Sequence, residues 1–261
     1  MAADAMAGAD TPKPDPSSGA LPATTTAPPE LQRLPDGIVD TNVSLFHWPF
    51  HRLPLDSTEK LAAKLQSLGV SEAWAGSFEG VLHRDMASVN RRLADECRRF
   101  PQLFRPVGTI NPLLPDWHRD LRQCVEEYRM FAVRLYPNYH GYPLSDPSLV
   151  TLLREASQSG LLVQIAASLE DTRTQHPLVS VADADLRPLT DLMRQVPAAR
   201  IQLLNHKLRP PLSTALRDTA NLFFDTARVD GTDSVPQLAR SAGLHRVLLG
   251  SHAPFLIPEA S

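Results

Sequence analysis

The stretch FAVRLYPNYHGYPLSDPSLVTLLREASQSGLLVQI, residues 131–165, contains the smallest unit from which the fold can be predicted. It opens with an apolar run, residues 131–136, that predicts a strand buried on both faces. Leu149, Leu152 and Ala156 then recur at helical spacing, and Gly160 ends the predicted helix. A second apolar run, residues 161–165, predicts another strand. This order of strand, helix and strand is typical of a parallel sheet covered by helices.

The same alternation continues on both sides of this unit. Further short β-rich runs predict strands at residues 38–43, 70–75, 105–110, 200–204, 221–225 and 246–249. Helical spacing between them predicts helices over residues 61–68, 86–97, 117–128, 189–196 and 235–239. Eight strands separated by helices close most economically into a (β/α)₈ TIM-like barrel of the α/β class. A doubly wound open sheet is the alternative fold, although no glycine-rich phosphate turn follows the first strand.

The last unit of the barrel is short. Only residues 251–261 follow the eighth predicted strand, too few for a helix of ordinary length with its connection. We therefore predict a barrel that lacks most of its final helix and exposes the flanks of neighbouring helices. Such flanks favour self-association into a homo-oligomer or binding of a protein partner, and a truncated reading frame is the other explanation.

The first 36 residues differ in composition from the rest of the chain. They include seven prolines, no aromatic residue and five acidic against two basic residues, so they carry the whole net charge of −3. We predict a disordered Pro/Ala/Thr-rich tail over residues 1–36, because such a segment has few large apolar groups to bury. The barrel domain is predicted over residues 37–261. A PxxP-type binding role is the alternative to a solvated tail.

Charge and hydropathy exclude several classes of protein. The predicted barrel domain holds 24 basic and 24 acidic residues, so it lacks the excess of basic charge typical of a nucleic-acid binder. No run approaches the ~18 apolar residues that cross a bilayer, which argues against a membrane protein. Two cysteines, Cys97 and Cys124, and no secretion signal indicate a reducing, cytoplasmic location.

Polar residues gather where the predicted strands end, which is where TIM barrels place their functional side chains. In chain order they are Asp40, Asn42, Ser44, Ser77, Asn111, Arg134, Tyr136, Asn138, Tyr139, His140, Glu170, Asp171, Arg173, Gln175, His176, Asn205, His206, Asp225, Arg228, Ser251 and His252. The functional site is therefore predicted at one polar mouth of the barrel.

Four stretches of the chain carry a family resemblance. They are NRRLADECRRFPQLFRPVGTINP (residues 90–112), residues 131–165, LLNHK (residues 203–207) and HRVLLGSHAPF (residues 245–255). In this order and spacing they resemble the amidohydrolase-related branch of the metal-dependent hydrolase superfamily, over most of residues 38–256. The resemblance implies a distorted (β/α)₈ barrel whose typical members hydrolyse or decarboxylate small molecules with a bound divalent metal.

The resemblance also implies positions for the metal ligands, most of which hold other residues here. The family's H-x-H pair after the first strand reads Asn42-Val43-Ser44, and its His after the fifth strand is matched by Ala166. The His after the sixth strand is kept as His206, whereas the family's general-base Asp is His252. A catalytic zinc needs about three protein ligands and an open position. We therefore predict no metal site of the usual kind and no cofactor, with a weakly bound zinc ion as the open alternative.

His206 and His252 are the candidate catalytic residues. Both follow strands that end at the same mouth, and histidine titrates near neutral pH, so the two could act as an acid–base pair. The alternative is that each ring is held by local hydrogen bonds without a chemical role.

The candidate substrate-binding residues begin with Arg134, Tyr136 and His140, which could clamp an anion because a guanidinium matches a carboxylate or phosphate. The alternative is that Arg134 pairs with Glu170 or Asp171 inside the mouth.

The densest charged group follows the fifth strand. Glu170, Asp171, Arg173 and His176 form either a substrate loop or a self-satisfied set of salt bridges. Asn42 completes the candidate substrate-binding residues.

His47 and His51 have the i, i+4 spacing of a metal-binding pair. Pro49 lies between them and makes a regular helix unfavourable, so this spacing gives poor ligand geometry.

The sequence thus predicts an amidohydrolase-related hydrolase or lyase that acts on a small polar or carboxylate-bearing molecule through a degenerate metal site. The alternative is a non-catalytic binding or scaffold protein with the same barrel, a pseudoenzyme. Under either function the predicted partner of the protein is a small molecule, and neither nucleic acid nor a membrane is predicted as a target.

Overall fold

The computed structural model describes residues 37–207, 212–217 and 219–260, and the predicted tail over residues 1–36 lies outside them. Strands and helices alternate along this part of the chain. The strands are β1 (Ile38–Leu45), β2 (Val70–Ser77), β3 (Phe104–Pro106), β4 (Gly108–Thr109), β5 (Ala132–Leu135), β6 (Leu162–Ala166), β7 (Arg200–Leu204), β8 (Leu222–Asp225) and β9 (Val247–Leu248). The helices are α1 (Thr58–Ser67), α2 (Met86–Arg98), α3 (Trp117–Glu126), α4 (Pro137–His140), α5 (Pro147–Gln158), α6 (Leu189–Gln195), α7 (Leu212–Arg217) and α8 (Ser234–Ala242).

All paired strands run parallel. β1, β2 and β3 form one ladder, and β4 to β9 form a second in sequence order. Two backbone hydrogen bonds join β1 to the residues after β9, from Thr41 N to Leu249 O (2.8 Å) and from Ser44 N to Ala253 O (2.9 Å). The strands therefore run around the TIM-like barrel that the sequence predicts.

The third predicted strand, residues 105–110, is divided into β3 and β4. β3 pairs with β2, and β4 pairs with β5. Pro106 has no N–H to donate to a ladder, which explains why the pairing is interrupted at this point. The backbone N of Val107 still donates to Ala75 O at 2.8 Å, so β2 and β5 remain joined through this segment.

The helices pack their apolar stripes against the outside of the barrel. In α5 the predicted stripe, Leu149, Leu152 and Ala156, is completely buried. Full burial of a leucine side chain contributes about 1.5–3 kcal/mol, so this stripe holds the helix on β5 and β6. The helix begins at Pro147. Proline is tolerated there because the first N–H groups of a helix have no acceptor within the helix, and the Asp146 side chain caps the helix.

Little helical structure follows β9 among the described residues. A 3₁₀ turn, Pro258–Ala260, is the only helical element that the structure describes after β9. Val247 and Leu248 of β9 are half-buried, whereas the residues of β5 and β6 are buried.

Two short helices were not predicted, α4 and α7. None of the described helices has the length and apolar character needed to span a bilayer.

Candidate functional site

Polar side chains fill the interior of the barrel. Arg134 on β5 lies opposite Gln164 on β6, and Gln164 lies opposite Gln202 on β7. Alternate residues of a strand point to opposite faces, so Val163 and Ile165 join the apolar core while Gln164 faces the other way. The three polar side chains are at most 1% exposed, and their matched register gathers them in one layer.

A continuous chain of hydrogen bonds crosses this layer. Arg134 Nε donates to Gln164 Oε1 (2.9 Å), and Gln164 Nε2 donates to Gln202 Oε1 (2.8 Å) and to Thr41 O (2.8 Å). Gln202 Nε2 donates to Thr41 Oγ1 (2.7 Å), and that hydroxyl donates to Leu249 O (2.8 Å). Each amide is therefore oriented by its neighbours, and the chain fixes the guanidinium at one end.

Arg134 carries a buried positive charge. Its Nη1 donates to Val43 O (3.1 Å) and to Ser44 Oγ (3.2 Å), whereas Nη2 has no hydrogen-bond partner among the described groups. A Cβ on Gly76 would lie 2.7 Å from Nη1, so only glycine leaves room for this side chain.

The alternative in which Arg134 pairs with Glu170 or Asp171 is not found. Glu170 faces His51, and Asp171 pairs with Arg173. Within the described part of the chain, no carboxylate forms an ion pair with the Arg134 guanidinium.

Amide and carboxylate groups are paired at the strand ends beside this layer. Asn42 Nδ2 donates to Asn205 Oδ1 (2.8 Å) and to Asp225 Oδ2 (2.7 Å). Asn205 Nδ2 donates to Ser168 O (2.8 Å). The predicted binding residue Asn42 is therefore occupied by internal contacts that tie β1 to the ends of β7 and β8.

Two carboxyl groups are buried in the same region. Asp225 accepts from the backbone N of Asn205 at 3.0 Å, and Asp40 accepts from the backbone N of Asn42 (3.1 Å) and Ser251 (2.9 Å). Burial raises the pKa of both carboxyl groups, that of Asp225 well above its usual value, and outweighs these donors.

His206 is buried at the end of β7, and its ring lies edge-on to Phe224 at 5.4 Å between centroids. Neither ring nitrogen forms a hydrogen bond of standard geometry among the described groups. A contact with the Asp225 backbone favours the protonated ring, but burial outweighs it. Burial lowers the pKa of His206 to about 4, so the ring is neutral at pH 7.

His252 is buried after β9 in a left-handed conformation (φ 55°), which is uncommon for a residue with a side chain. Its ring stacks on Phe255, and Nε2 lies 2.7 Å from Leu169 O. A carbonyl only accepts, so Nε2 carries the proton and Nδ1 is the acceptor of the ring. Burial lowers the pKa of His252 to about 3, which keeps the ring neutral.

Aromatic side chains cover the mouth next to His252. Trp48, in the loop after β1, lies edge-on to four rings, with centroid distances of 4.9–5.9 Å. Those rings belong to Phe50, Phe78, Tyr139 and Phe255. We call these five residues the aromatic cap.

Tyr136 and His140 lie on the same side of the mouth. Tyr136 is completely buried, its hydroxyl donates to Ser77 O at 3.4 Å, and burial raises its pKa. His140 Nε2 lies 2.9 Å from Gly80 O, and burial lowers the pKa of this ring.

The charged group after β6 is divided between the interior and the surface. Glu170 is buried, faces His51 Nδ1 at 3.5 Å, and has its pKa raised by burial. The exposed Arg173 side chain forms two hydrogen bonds to Asp171, and its backbone N forms a third; His176 is also exposed. The local salt bridge is thus present for Arg173 and Asp171, whereas Glu170 and His176 take no part in it.

The spaced histidines of the first loop do not face a common point. His47 lies 3.8 Å from Asp56 Oδ2, whereas His51 faces Glu170. Among the described residues, no three His, Cys, Asp or Glu side chains lie close enough together to hold a metal ion.

The residues at the family's ligand positions do not fit a divalent metal. Asn42 is hydrogen-bonded to other side chains, and Ser44 Oγ accepts from a guanidinium. Ala166 has no donor atom, and His252 directs Nε2 to a carbonyl. His206 remains as one free ligand, fewer than a catalytic metal needs.

Gln164 and Gln202, which orient Arg134, were not predicted from the sequence. The signal for them is a single polar residue in the middle of an apolar strand, LVQIA and RIQLL. Of the aromatic cap, only Tyr139 was predicted to lie at the mouth, because the loop that carries Trp48 has no periodicity.

Solved structures share this fold. A 5-carboxyvanillate decarboxylase from Novosphingobium aromaticivorans with bound manganese has a TM-score of 0.67 and 14% identity, covering 85% of this chain and 89% of its own. A 2,6-dihydroxybenzoate decarboxylase from Rhizobium has a TM-score of 0.64 and 14% identity over 86% and 90%. A Staphylococcus aureus protein designated an amidohydrolase has a TM-score of 0.64 and 10% identity over 85% and 90%. The fold implied by the sequence resemblance is thereby confirmed.

No protein-family model and no curated protein matches the sequence.

Proposed function

We propose that this protein is a hydrolase or lyase that acts on a small carboxylate-bearing molecule. The observation that carries the proposal is the Arg134 guanidinium, which is buried, fixed by Gln164 and without a carboxylate partner among the described residues. Burial of an unpaired charge is costly, and a bound carboxylate would supply the missing partner. Two proteins of the same fold are decarboxylases of carboxylated aromatic compounds, which supports this substrate class.

In this proposal His206 moves the proton. Its ring is neutral at pH 7 and both nitrogens are free of described partners, so it can accept a proton from a substrate or a water molecule. His252 supports it through Nδ1, while Leu169 O fixes the ring. Tyr136 and Glu170 line the mouth, and Asn42, His140, Arg173 and His176 stay as predicted binding residues.

The aromatic cap controls entry. Trp48 packs among four rings above the mouth, so a ligand reaches the interior when the loop after β1 moves outward. Once the loop returns, the same rings exclude water and strengthen the attraction between Arg134 and a carboxylate.

A turnover assay tests this function. The wild-type protein is incubated with aromatic carboxylic acids, lactones and amides, and products are separated by chromatography. We expect turnover of a carboxylate-bearing compound, with kcat about 100-fold lower in His206→Ala because the proton acceptor is removed. Exposed His83→Ala is the matched control and should keep wild-type turnover. Absence of turnover across the whole panel contradicts the proposal.

A second function, non-catalytic binding, is favoured by the aromatic cap and by the internal pairing of Asn42, Asn205 and Asp225. A pseudoenzyme with this mouth would bind a carboxylic acid without converting it. The result that favours it is a ligand-induced rise in Tm with no product formed and no effect of His252→Ala on the ligand affinity.

The proposal includes a cytoplasmic location and self-association, with a small molecule as the ligand rather than nucleic acid or a membrane. Cys97 and Cys124 are both buried as free thiols, and burial raises the pKa of Cys97 to about 12, which fits structural cysteines in a reducing compartment.

A further inference from the structure

The segment that would carry two metal ligands is instead bound to a cation. Arg134 Nη1 donates to Val43 O and Ser44 Oγ, the second half of the Asn42-Val43-Ser44 motif. A guanidinium in this place occupies the acceptor atoms of β1 and repels a divalent ion.

The residues around Arg134 fit an arginine side chain in both shape and hydrogen bonding. Gly76 leaves the space that Nη1 needs, and Gln164 holds Nε from the opposite side. Gln164 is itself held by Gln202 and Thr41, so the guanidinium has one orientation. In that orientation Nη2 has no hydrogen bond of standard geometry among the described groups, and the Tyr136 hydroxyl lies near the guanidinium.

The nearby acids do not complete the site. Asp40 accepts from the backbone of Asn42 and Ser251, and Asp225 accepts from Asn42 and Asn205. The positive charge of Arg134 lowers the pKa of both carboxyl groups, but burial outweighs it, and neither group lies within ion-pair distance of the guanidinium among the described contacts.

We propose that the Arg134 guanidinium takes over the charge role of the divalent metal, so the barrel binds a small carboxylate at Nη2 without any metal ion. The manganese-bound neighbour shows that a metal can occupy this fold, and the change of ligands here comes with a fixed organic cation. This inference rests on the proposed function for its ligand class, but it makes a separate statement about the metal.

The first experiment uses the full-length wild-type protein. Its zinc and manganese content is measured by mass spectrometry, and its Tm is measured with EDTA, with MnCl₂ and with ZnCl₂. We expect far less than one metal ion per chain and a Tm that neither chelator nor metal changes. One bound metal ion per chain, whose removal lowers Tm, would overturn the proposal. The proposed function would still be tested separately by the turnover assay.

The second experiment measures benzoate binding by isothermal titration calorimetry, with sodium chloride at equal ionic strength as the reference. We expect benzoate to bind the wild-type protein and to bind Arg134→Gln at least tenfold more weakly, with Arg134→Lys in between. Exposed Arg187→Gln, which removes a surface salt bridge, should bind as the wild type.

The Lys variant keeps the positive charge and is informative if Arg134→Gln does not fold. Equal benzoate affinity in the wild type and in whichever Arg134 variant folds, or no binding by the wild type, overturns the proposed anion site. In another outcome, metal-free protein turns over substrate and Arg134→Lys has the same KM as the wild type. This result would contradict the inference while supporting the proposed function.

Discussion

At the scale of single residues, two buried histidines differ strongly from their state in the unfolded chain. His206 and His252 are nearly inaccessible, and each loses its hydration without gaining an acidic partner among the described groups. The folded protein therefore holds both rings neutral well below the pH at which free histidine is protonated.

This difference predicts a loss of stability in acid. The pKa of His206 falls from 6.5 to about 4 on folding, so between these values the unfolded chain binds a proton that the folded chain does not. Its contribution is complete above pH 6.5 and decreases as the pH falls toward 4, by at most about 3 kcal/mol.

The measurement is the free energy of unfolding in urea from pH 7 to pH 4 for wild type and His206→Gln. We expect the wild type to lose more stability than the variant across this range. The comparison is needed because Asp40 and Asp225, whose pKa values are raised, have the opposite pH dependence. Parallel pH profiles of the two proteins would show that His206 is not held neutral.

The individual site residues could be predicted from the sequence only in part. Arg134 lies near the end of a strand, His206 and His252 follow strands, and the barrel places such residues at one mouth. Their partners could not be predicted, because Gln164 and Gln202 meet through strand register across 38 residues of chain. A single sequence does not contain that register in any local pattern.

At the scale of elements, the helix ends give a direct comparison. Asp146 caps α5 by accepting from Ser148 N (2.9 Å), whereas Asp116 precedes α3 without a side-chain cap. We expect Asp146→Ala to lower the free energy of unfolding by about 1 kcal/mol, the usual effect of a lost cap.

Asp116→Ala is the matched control. It removes an exposed salt bridge to Arg119, which contributes little, so urea unfolding should show a smaller loss than Asp146→Ala. Equal losses in the two variants would show that the cap of α5 is energetically unimportant.

Most elements could be predicted because apolar periodicity and glycine stops act locally. The helix after β5 was not, since α4 has four residues, starts at Pro137 and ends before Gly141 in a left-handed conformation (φ 77°). One turn is too short for a periodic pattern. Pro106 can be read from the sequence, but the division of the third strand cannot. The division arises because the residues before it pair with β2 and the residues after it pair with β5.

At the scale of the whole molecule, the end of the barrel is the least covered part. Of the residues in α8, only Ala242 is buried, and β9 is half-buried. Val235 and Leu244, at 38% and 75% exposure, leave apolar surface beside these elements. Apolar surface left uncovered favours contact with another molecule.

We therefore expect association that increases with protein concentration in sedimentation velocity. Val235→Lys combined with Leu244→Lys should shift the distribution toward monomer, because charge disfavours burial of this surface. Leu178→Lys is the control, since Leu178 is 88% exposed in the long loop after β6. A monomer at every concentration, or an equal effect of Leu178→Lys, argues against this surface.

The hydrogen bonds between Thr41 and Leu249 have a consequence for biosynthesis. The two residues are 208 positions apart, and the ribosome delivers them near opposite ends of translation. At roughly 5–20 residues per second, about ten to forty seconds pass before β1 can meet the strand that completes the ring. During that interval the edge of β1 that faces Leu249 has no final partner, although β2 is already available at the other edge, so chaperones have prolonged access to this edge of the first strand.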